Sequence, residues 1–202
     1  MKENNWRIRV MEEIKYKDLF PEDFWSEELS GISTEEISKI QQITLNKDEF
    51  SINLDEILEI LGIKKVAKEY VSHSGQINRD EKMIYINPME RKVRQRFTVA
   101  HEIGHYALNH EGISNRLIDP NFTSTIEMMK ERSANQFAAE LLMPKRLILK
   151  CIEKFKKDNG LTDEELKNAN VRYFVEQLSN MMETSKQATQ YRLQNLKVIN
   201  YS

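Results

Sequence analysis

The sequence predicts an α+β fold that is mainly helical. Six glycines and four prolines in 202 residues leave few breaks, which favours long helices. Most segments space their apolar residues three or four positions apart, as a helix with one buried face requires. Only residues 63–87 change to short runs of β-branched and aromatic side chains separated by polar turns. This stretch predicts a small antiparallel three-stranded sheet.

Composition excludes several classes of protein. The net charge of −2, from 30 basic and 32 acidic residues, favours neither nucleic acid nor an anionic membrane as the main partner. No apolar run approaches the ~18 residues of a membrane span, and the N-terminus lacks the apolar run of a signal peptide. We therefore expect a soluble, cytoplasmic protein. The single Cys151 excludes an internal disulfide and a cysteine-based metal site.

Three segments are predicted along the chain. Residues 1–52 form an N-terminal helical extension to which no motif assigns a role. One helix in it is indicated by Ser33 and Glu36, which have the spacing of a capping box. Residues 53–145 contain the predicted sheet and the candidate functional motifs. Residues 146–202 show helical patterns only.

The helix after the sheet is predicted to start at Asn87. Asn87, Pro88 and Glu90 supply the residues expected at the N-cap, N1 and N3 positions. The helix should run to about His110, with Gly112 available to end it. These boundaries place the most informative five residues of the chain, HEIGH, in the second half of a long helix.

The motif HEIGH supplies His101, Glu102 and His105 at a spacing that suits a hydrolytic metal site. Residues i and i+4 share one helical face, so both imidazoles can bind one cation, and Glu102 can act as a general base. The alternative is a surface helix that carries these residues by chance. Phe97 and Leu108 lie on the same stripe as the histidines, which indicates a buried face. Two buried imidazoles one turn apart need a shared partner, and a metal ion supplies it.

A catalytic zinc site needs a third protein ligand, and the residues just after HEIGH do not provide one. Leu108 and Glu111 occupy the positions of the glycine and histidine in the extended motif HExxHxxGxxH. His110 is about 140° around the helix from His105, so we expect it to point away from the site. The third ligand must therefore come from another element.

The segment ERSANQFAAELLMP, residues 131–144, is the best source of this ligand. Helical spacing places Glu131 on an apolar stripe with Ala134, where a carboxylate needs a cation or a donor. The alanines of this stripe, opposite a glycine of the HEIGH helix, would let the two backbones approach closely. Asn135 is placed to orient a ligand histidine. Glu127, one turn earlier on a similar face, is the second choice of ligand.

The last part of the chain is predicted to be helix-turn-helix-like at 171–198, with Ser185 capping the second helix. DNA binding would place four side chains toward a groove: Lys186, Gln187, Gln190 and Arg192. Because the chain has no net positive charge, DNA is the less favoured partner. We expect these helices to pack on the preceding domain or to dock a partner protein.

Two paired segments resemble the ImmA/IrrE family of bacterial zinc metallopeptidases: RQRFTVAHEIGHYALNHE at 94–111 and ERSANQFAAELLMP at 131–144. The SG.I turn at 74–77 and the IYIN strand at 84–87 also match the pattern of that family. The resemblance covers roughly residues 54–144. It implies a zincin-like metallopeptidase domain in which the HExxH helix and a second ligand helix pack on the small sheet.

The resemblance also implies roles for four residues. His101, His105 and Glu131 would be the ligands of one zinc ion, and Glu102 would be the general base. The residue pattern and the resemblance thus select the same third ligand. Zinc proteases of this design commonly bind a peptide along a sheet edge, for which strand 83–87 is the candidate, although an interior position fits this strand equally.

Two functions follow as hypotheses. The resemblance implies an endopeptidase of narrow specificity that cleaves a partner helix-turn-helix repressor and so relieves transcriptional repression. Tyr106 and Tyr173 are of a suitable type to stabilise its oxyanion, and the sequence does not choose between them. The alternative is a noncatalytic regulatory or toxin–antitoxin-type binding protein with a structural zinc site. Every catalytic position holds a competent residue, which favours the enzyme.

Overall fold

A computed structural model of the protein describes residues 13–26, 29–71, 74–110 and 120–199. The strands are β1 (Glu13–Lys15), β2 (Thr44–Asn46), β3 (Lys64–Ala67), β4 (Gly75–Asn78) and β5 (Met83–Ile86). The helices are α1 (Tyr16–Leu19), α2 (Thr34–Gln42), α3 (Leu54–Leu61), α4 (Lys92–Ala107), α5 (Pro120–Leu142), α6 (Lys145–Asn159), α7 (Asp163–Leu166), α8 (Val171–Met182) and α9 (Lys186–Asn195). Helices predominate over two small sheets, which confirms the predicted α+β class.

The sheet predicted at 63–87 has three strands in the order β3–β5–β4. Strands β4 and β5 pair antiparallel, as expected. Strands β3 and β5 pair parallel, so the sheet is mixed and the prediction of a purely antiparallel sheet is wrong in this respect. The chain reverses direction after β3 and again after β4. Strand β5 is inserted between them and therefore runs in the direction of β3.

The open edge of the sheet beside α4 belongs to β4. Of the two positions considered for strand 83–87, the interior one is correct, because β5 has a neighbour on each side. The carbonyl of Ser74 accepts a hydrogen bond from the N–H of Asn87 (2.8 Å). The backbone groups of Ser74 therefore face β5, and this fixes which residues of β4 direct their backbone groups toward β5. Alternate residues of an antiparallel strand direct their backbone groups to opposite sides, so Gly75 and Ile77 direct theirs to the outer edge.

Helix α4 begins at Lys92, later than predicted. The N–H of Asn87 is still bonded to Ser74 in the sheet, and the side chain of Asn87 accepts a hydrogen bond from the N–H of Met89 (3.1 Å). The chain must leave the sheet before helical hydrogen bonds can form. Asn87 therefore caps a turn between strand and helix, and Arg91 is the residue that precedes the helix.

Helices α4 and α5 approach closely, as their small residues predict. A Cβ added at Gly104 would lie 3.2 Å from the carbonyl oxygen of Ala134 and 3.1 Å from the ring of Phe137. Ala134 and Ala138 are fully buried in this contact. The close approach places the second half of α4 directly beside the segment of α5 that begins at Glu131.

The N-terminal segment supports the end of α4. The N–H of Gly31 donates to the carbonyl of Ala107 (2.8 Å), one of the carbonyls that a helix end leaves without an intrahelical partner. The ring of Phe24 stacks on that of Phe137 in α5, with centroids 5.1 Å apart. This segment thus contacts both of the helices that carry candidate metal ligands.

We expect Gly31→Ala to destabilise the fold. A Cβ at this position would lie 1.8 Å from the carbonyl oxygen of Tyr106, so the backbone would have to move. Overpacking of this kind costs about 1–3 kcal/mol in the free energy of unfolding, which chemical denaturation can measure. Ser30→Ala, at an exposed neighbour, should change it by less than about 0.5 kcal/mol. Equal stability of Gly31→Ala and wild type would show that the segment is not held against α4.

The helix pair α8 and α9 packs on the rest of the protein. Ser185 caps α9, as predicted. Arg192 of α9 donates to the carbonyl of Met143, just after α5 (3.1 Å). Lys186 is paired with Glu176 of α8 (2.6 Å). Two side chains that a DNA-binding role would direct to a groove are therefore engaged within the protein, which favours the packing role.

The structure bears on two inferences drawn from composition, one about membrane-spanning helices and one about Cys151. Among the helices in the described ranges, none is long and apolar enough to cross a membrane. Cys151 is fully buried in α6, and burial raises the pKa of its thiol to about 12. The thiol is therefore protonated near neutral pH and acts as an apolar core side chain.

Candidate metal centre

Two helices bring three potential metal ligands together. His101 and His105 project from α4 with their Nε2 atoms 3.0 Å apart. Glu131 of α5 places one carboxylate oxygen 3.3 Å from Nε2 of His101 and the other 3.1 Å from Nε2 of His105. Within the part of the chain that the structure describes, the ligand atoms of these three side chains all lie within 4.8 Å of one another. The residues selected as ligands from the sequence therefore meet at one point.

The hydrogen-bond chemistry of this cluster favours a bound cation. Oδ1 of Asn135 can only accept, so Nδ1 of His101, 3.1 Å away, carries the proton. Nε2 of His101 then directs a lone pair at a carboxylate oxygen of Glu131. Both atoms are hydrogen-bond acceptors, so they cannot form a hydrogen bond with each other. Burial lowers the pKa of His101, and it lowers the pKa of His105 to about 4, which favours the neutral imidazole that a metal ion binds. A divalent metal fits this donor set.

Glu131 lies at the mouth of the site. Its side chain is 58% exposed, although Ala134 on the same helical stripe is fully buried. The carboxylate thus reaches the two histidines from the solvent side of the cluster. Glu127, the second choice from the sequence, is exposed and does not belong to the cluster found among the described residues. The geometry supports Glu131 over Glu127 as the third ligand.

Glu102 is buried beside the edge strand β4. It is 7% exposed, and burial raises the pKa of its carboxyl group to about 7, with the negative charge of Glu131 adding to the rise. A hydrogen bond from the backbone N–H of Ile77 opposes this rise because it stabilises the carboxylate. A carboxyl group with this pKa can both accept and release a proton near neutral pH, as general acid–base catalysis requires.

An open cleft of about 690 Å³ leads to the cluster. Residues 74–77, which include the outer edge of β4, line one side of it, and residues of α4 and α5 line the other. Nη2 of Arg94 donates to the hydroxyl of Ser74 (3.0 Å) and so connects α4 to the residue that precedes the strand. One molecule in the cleft could therefore reach both the candidate metal ligands and the open strand edge.

Neither Tyr106 nor Tyr173, the two tyrosines of a type suited to oxyanion stabilisation, lines the cleft. Tyr106 is 7% exposed and packs against the guanidinium group of Arg79, whose Cζ lies 4.7 Å from the ring centre. Tyr173 lies on α8 beside Phe155, with ring centroids 5.8 Å apart. Polar side chains that do line the cleft include Ser74, Gln76, Arg94 and His110.

Comparison with known protein families identifies the family to which the chain belongs. The family model described as the IrrE N-terminal-like domain, Peptidase M78, matches residues 58–194, well over half of the chain. The chain belongs to this family. The resemblance to the ImmA/IrrE family that the paired motifs indicated is therefore confirmed.

Among curated proteins, this chain is similar to the radiation response metalloprotease IrrE of Deinococcus radiodurans, with 34% identity over 98 residues. The aligned part covers 48% of the length of this chain and only 30% of the length of the Deinococcus protein. Among solved structures, a Mycobacterium tuberculosis transcriptional regulator is similar at 14% identity, with a TM-score of 0.49, over 88% of this chain and 48% of that one.

His110 also lies at the site, although its position in the sequence predicted that it would point away. Nδ1 of His110 lies 3.1 Å from Nδ1 of His105. The expectation assumed that α4 continues to His110, but the helix ends at Ala107, and Asn109 has a φ of 52° in the left-handed region. That turn brings the next residue back against the helix. Asn109 is the signal that could have revealed this, because asparagine adopts left-handed conformations more readily than most residues.

Proposed function

We propose that the protein is a zinc-dependent endopeptidase with one metal ion held by His101, His105 and Glu131. The observation that carries this proposal is the convergence of three ligand atoms in an open cleft beside the buried carboxyl group of Glu102. Three protein ligands leave a position for water, as in catalytic zinc sites, whereas structural sites are usually closed by four. Family membership and the IrrE relative, which is named a metalloprotease, support this activity.

Zinc at this site would polarise the scissile carbonyl group and make a water molecule more acidic. Glu102 would accept a proton from that water as the water oxygen attacks the carbonyl carbon. When the C–N bond breaks, Glu102 would return the proton to the nitrogen of the leaving amine. Asn135 would keep His101 in the productive tautomer by accepting a hydrogen bond from its Nδ1–H (3.1 Å).

Strand β4 would orient the backbone of the substrate. Gly75 and Ile77 direct backbone groups to the outer edge of the sheet, and both residues line the cleft. The N–H of Ile77 is bonded to Glu102, so the backbone groups of Gly75 and the carbonyl of Ile77 would bind the substrate. An extended peptide can add to such an edge as a further strand, held by main-chain hydrogen bonds. Since only an extended segment can bind in this way, a flexible region of a partner protein fits the cleft better than a folded surface.

The proposed substrate is a helix-turn-helix repressor encoded beside this protein, whose cleavage would relieve repression. The resemblance to the ImmA/IrrE family supports this choice. We expect incubation of the two purified proteins with zinc to give one main cleavage, identified from fragment masses by mass spectrometry. A chelator should stop the cleavage, and added zinc should restore it. A repressor that stays intact although the protein retains zinc would contradict the proposed substrate.

The alternative function, a noncatalytic regulatory or toxin–antitoxin-type binding protein, predicts a different result in the same experiment. Such a protein would form a complex with its partner without cutting it, and zinc would affect only its stability. The buried carboxyl group of Glu102 lies beside a cluster that has three ligands among the described residues, where structural zinc sites usually have four. This arrangement favours the enzyme.

A further inference from the structure

His105 has a hydrogen-bond partner on the side away from the metal ligands. Its Nε2 atom faces Glu131 and His101, and its Nδ1 atom lies 3.1 Å from Nδ1 of His110. If Nε2 of His105 binds the proposed zinc ion, the proton of the neutral ring must be on Nδ1. Nδ1–H of His105 then donates to Nδ1 of His110, and His110 carries its own proton on Nε2.

Backbone and side-chain contacts fix His110 in this position. Its N–H donates to the carbonyl of His105 (3.0 Å). Arg79, in the turn between β4 and β5, donates through Nη1 to the carbonyls of Tyr106 (2.8 Å) and His105 (3.1 Å). Its Nη2 donates to Oδ1 of Asn109 (2.9 Å), the residue whose left-handed backbone turns the chain toward His110. One guanidinium group thus binds the end of α4 and the turn that follows.

We propose that His110 is a positioning residue for the zinc site: it accepts the hydrogen bond of His105, and Arg79 holds the turn that keeps it there. This inference rests on the proposed zinc-dependent function. Ligand histidines are normally oriented by such a partner, and loss of the partner typically weakens metal binding by about 10–100-fold. Arg79 belongs to the β4–β5 turn. The strand proposed to bind substrate is therefore linked, through Arg79 and His110, to the proposed ligand His105.

A direct role of His110 as a ligand fits the geometry less well. The cluster of ligand atoms found among the described residues contains His101, His105 and Glu131. Nδ1 of His110 faces Nδ1 of His105, whereas the nitrogen of His105 that belongs to the cluster is Nε2. His110 therefore acts through His105 and is assigned no contact with the metal.

A matched pair of variants tests this role. His110→Asn places an amide oxygen close to the position of Nδ1, and His110→Leu has nearly the same shape without an acceptor. Zinc affinity is measured by chelator competition, and cobalt is substituted for zinc to record its visible absorption. We expect the leucine variant to lose about 10–100-fold in zinc affinity and to change the cobalt spectrum, and the asparagine variant to stay close to wild type.

Arg79→Met provides a second test through a different residue. It keeps an apolar side chain beside Tyr106 and removes the guanidinium donors. We expect weaker zinc binding in this variant, and little further loss when it is combined with His110→Leu, because both changes remove the same orientation of His105. Thermal unfolding of the metal-free proteins shows whether each variant is folded.

The possible outcomes separate this inference from the proposed function. Wild-type protein that retains no zinc would contradict the proposed function and the inference together. Wild-type protein that binds zinc, with unchanged affinity and cobalt spectrum in both His110 variants, would overturn the positioning role alone. Complete loss of zinc in both His110 variants, as expected for a ligand, would overturn it as well.

Discussion

Glu102→Gln is expected to abolish peptide cleavage and to leave metal binding intact. The amide has the size of the carboxyl group, and its oxygen can still accept the hydrogen bond from Ile77, so the local structure should be retained. It cannot take a proton from water, and loss of a general base typically lowers the rate by about 10²–10⁴-fold. The rate is measured on a peptide that spans the cleavage site, and zinc content is measured in the same sample.

Glu102→Asp is the matched control for this prediction. It keeps a carboxyl group but withdraws it by one methylene from the position beside Ile77, so we expect partial activity with full zinc content. Cleavage by Glu102→Gln at the wild-type rate would show that the proposed mechanism is wrong. Loss of zinc in Glu102→Gln would instead assign Glu102 to metal binding.

Glu131→Ala is expected to remove both the metal and the activity. The substitution leaves the two histidines of α4 as the remaining ligands of the described cluster. A partner that only orients a ligand is worth about 10–100-fold in metal affinity, so loss of a ligand should cost more than about 100-fold. Zinc per chain is measured after gel filtration in metal-free buffer, and affinity is measured by competition with a chelator. Because the side chain is 58% exposed, the fold should tolerate the change.

Glu127→Ala is the control for this second prediction. It removes the same side chain one turn earlier on α5, at an exposed position outside the described ligand cluster. We expect it to bind zinc and to cleave the partner as the wild type does. If Glu127→Ala loses zinc and Glu131→Ala retains it, the assignment of the third ligand must be reversed.

Local spacing and the family resemblance selected the three residues of the cluster, with Glu127 as the second choice of third ligand. Positions i and i+4 placed His101 and His105 on one face, and helical periodicity placed Glu131 where it could reach them. Both inferences depend on the geometry of one helix at a time, which the sequence encodes directly. The family match supports the resemblance behind them, while the roles of the individual residues stay predictions that the variants above test.

Features that depend on contacts between distant segments could not be predicted in the same way. The order β3–β5–β4 depends on which strand inserts between the other two, and short strands carry no local record of their neighbours. Helix α4 starts late because Asn87 is still bonded to Ser74 in the sheet, which overrides a good N-cap sequence. No sequence motif marks the hydrogen bond from Gly31 to Ala107, because this bond joins two segments that are far apart in the chain.

The ligand set has a consequence for how the protein tolerates oxidative stress. The three proposed ligands offer nitrogen and oxygen atoms, and the single cysteine of the chain is buried in α6 with a thiol pKa of about 12. Peroxides react with exposed thiolates, so a zinc site built from cysteines can lose its metal when a cell is oxidised. A site built from His101, His105 and Glu131 contains no thiolate, so this route of metal loss would not operate on it.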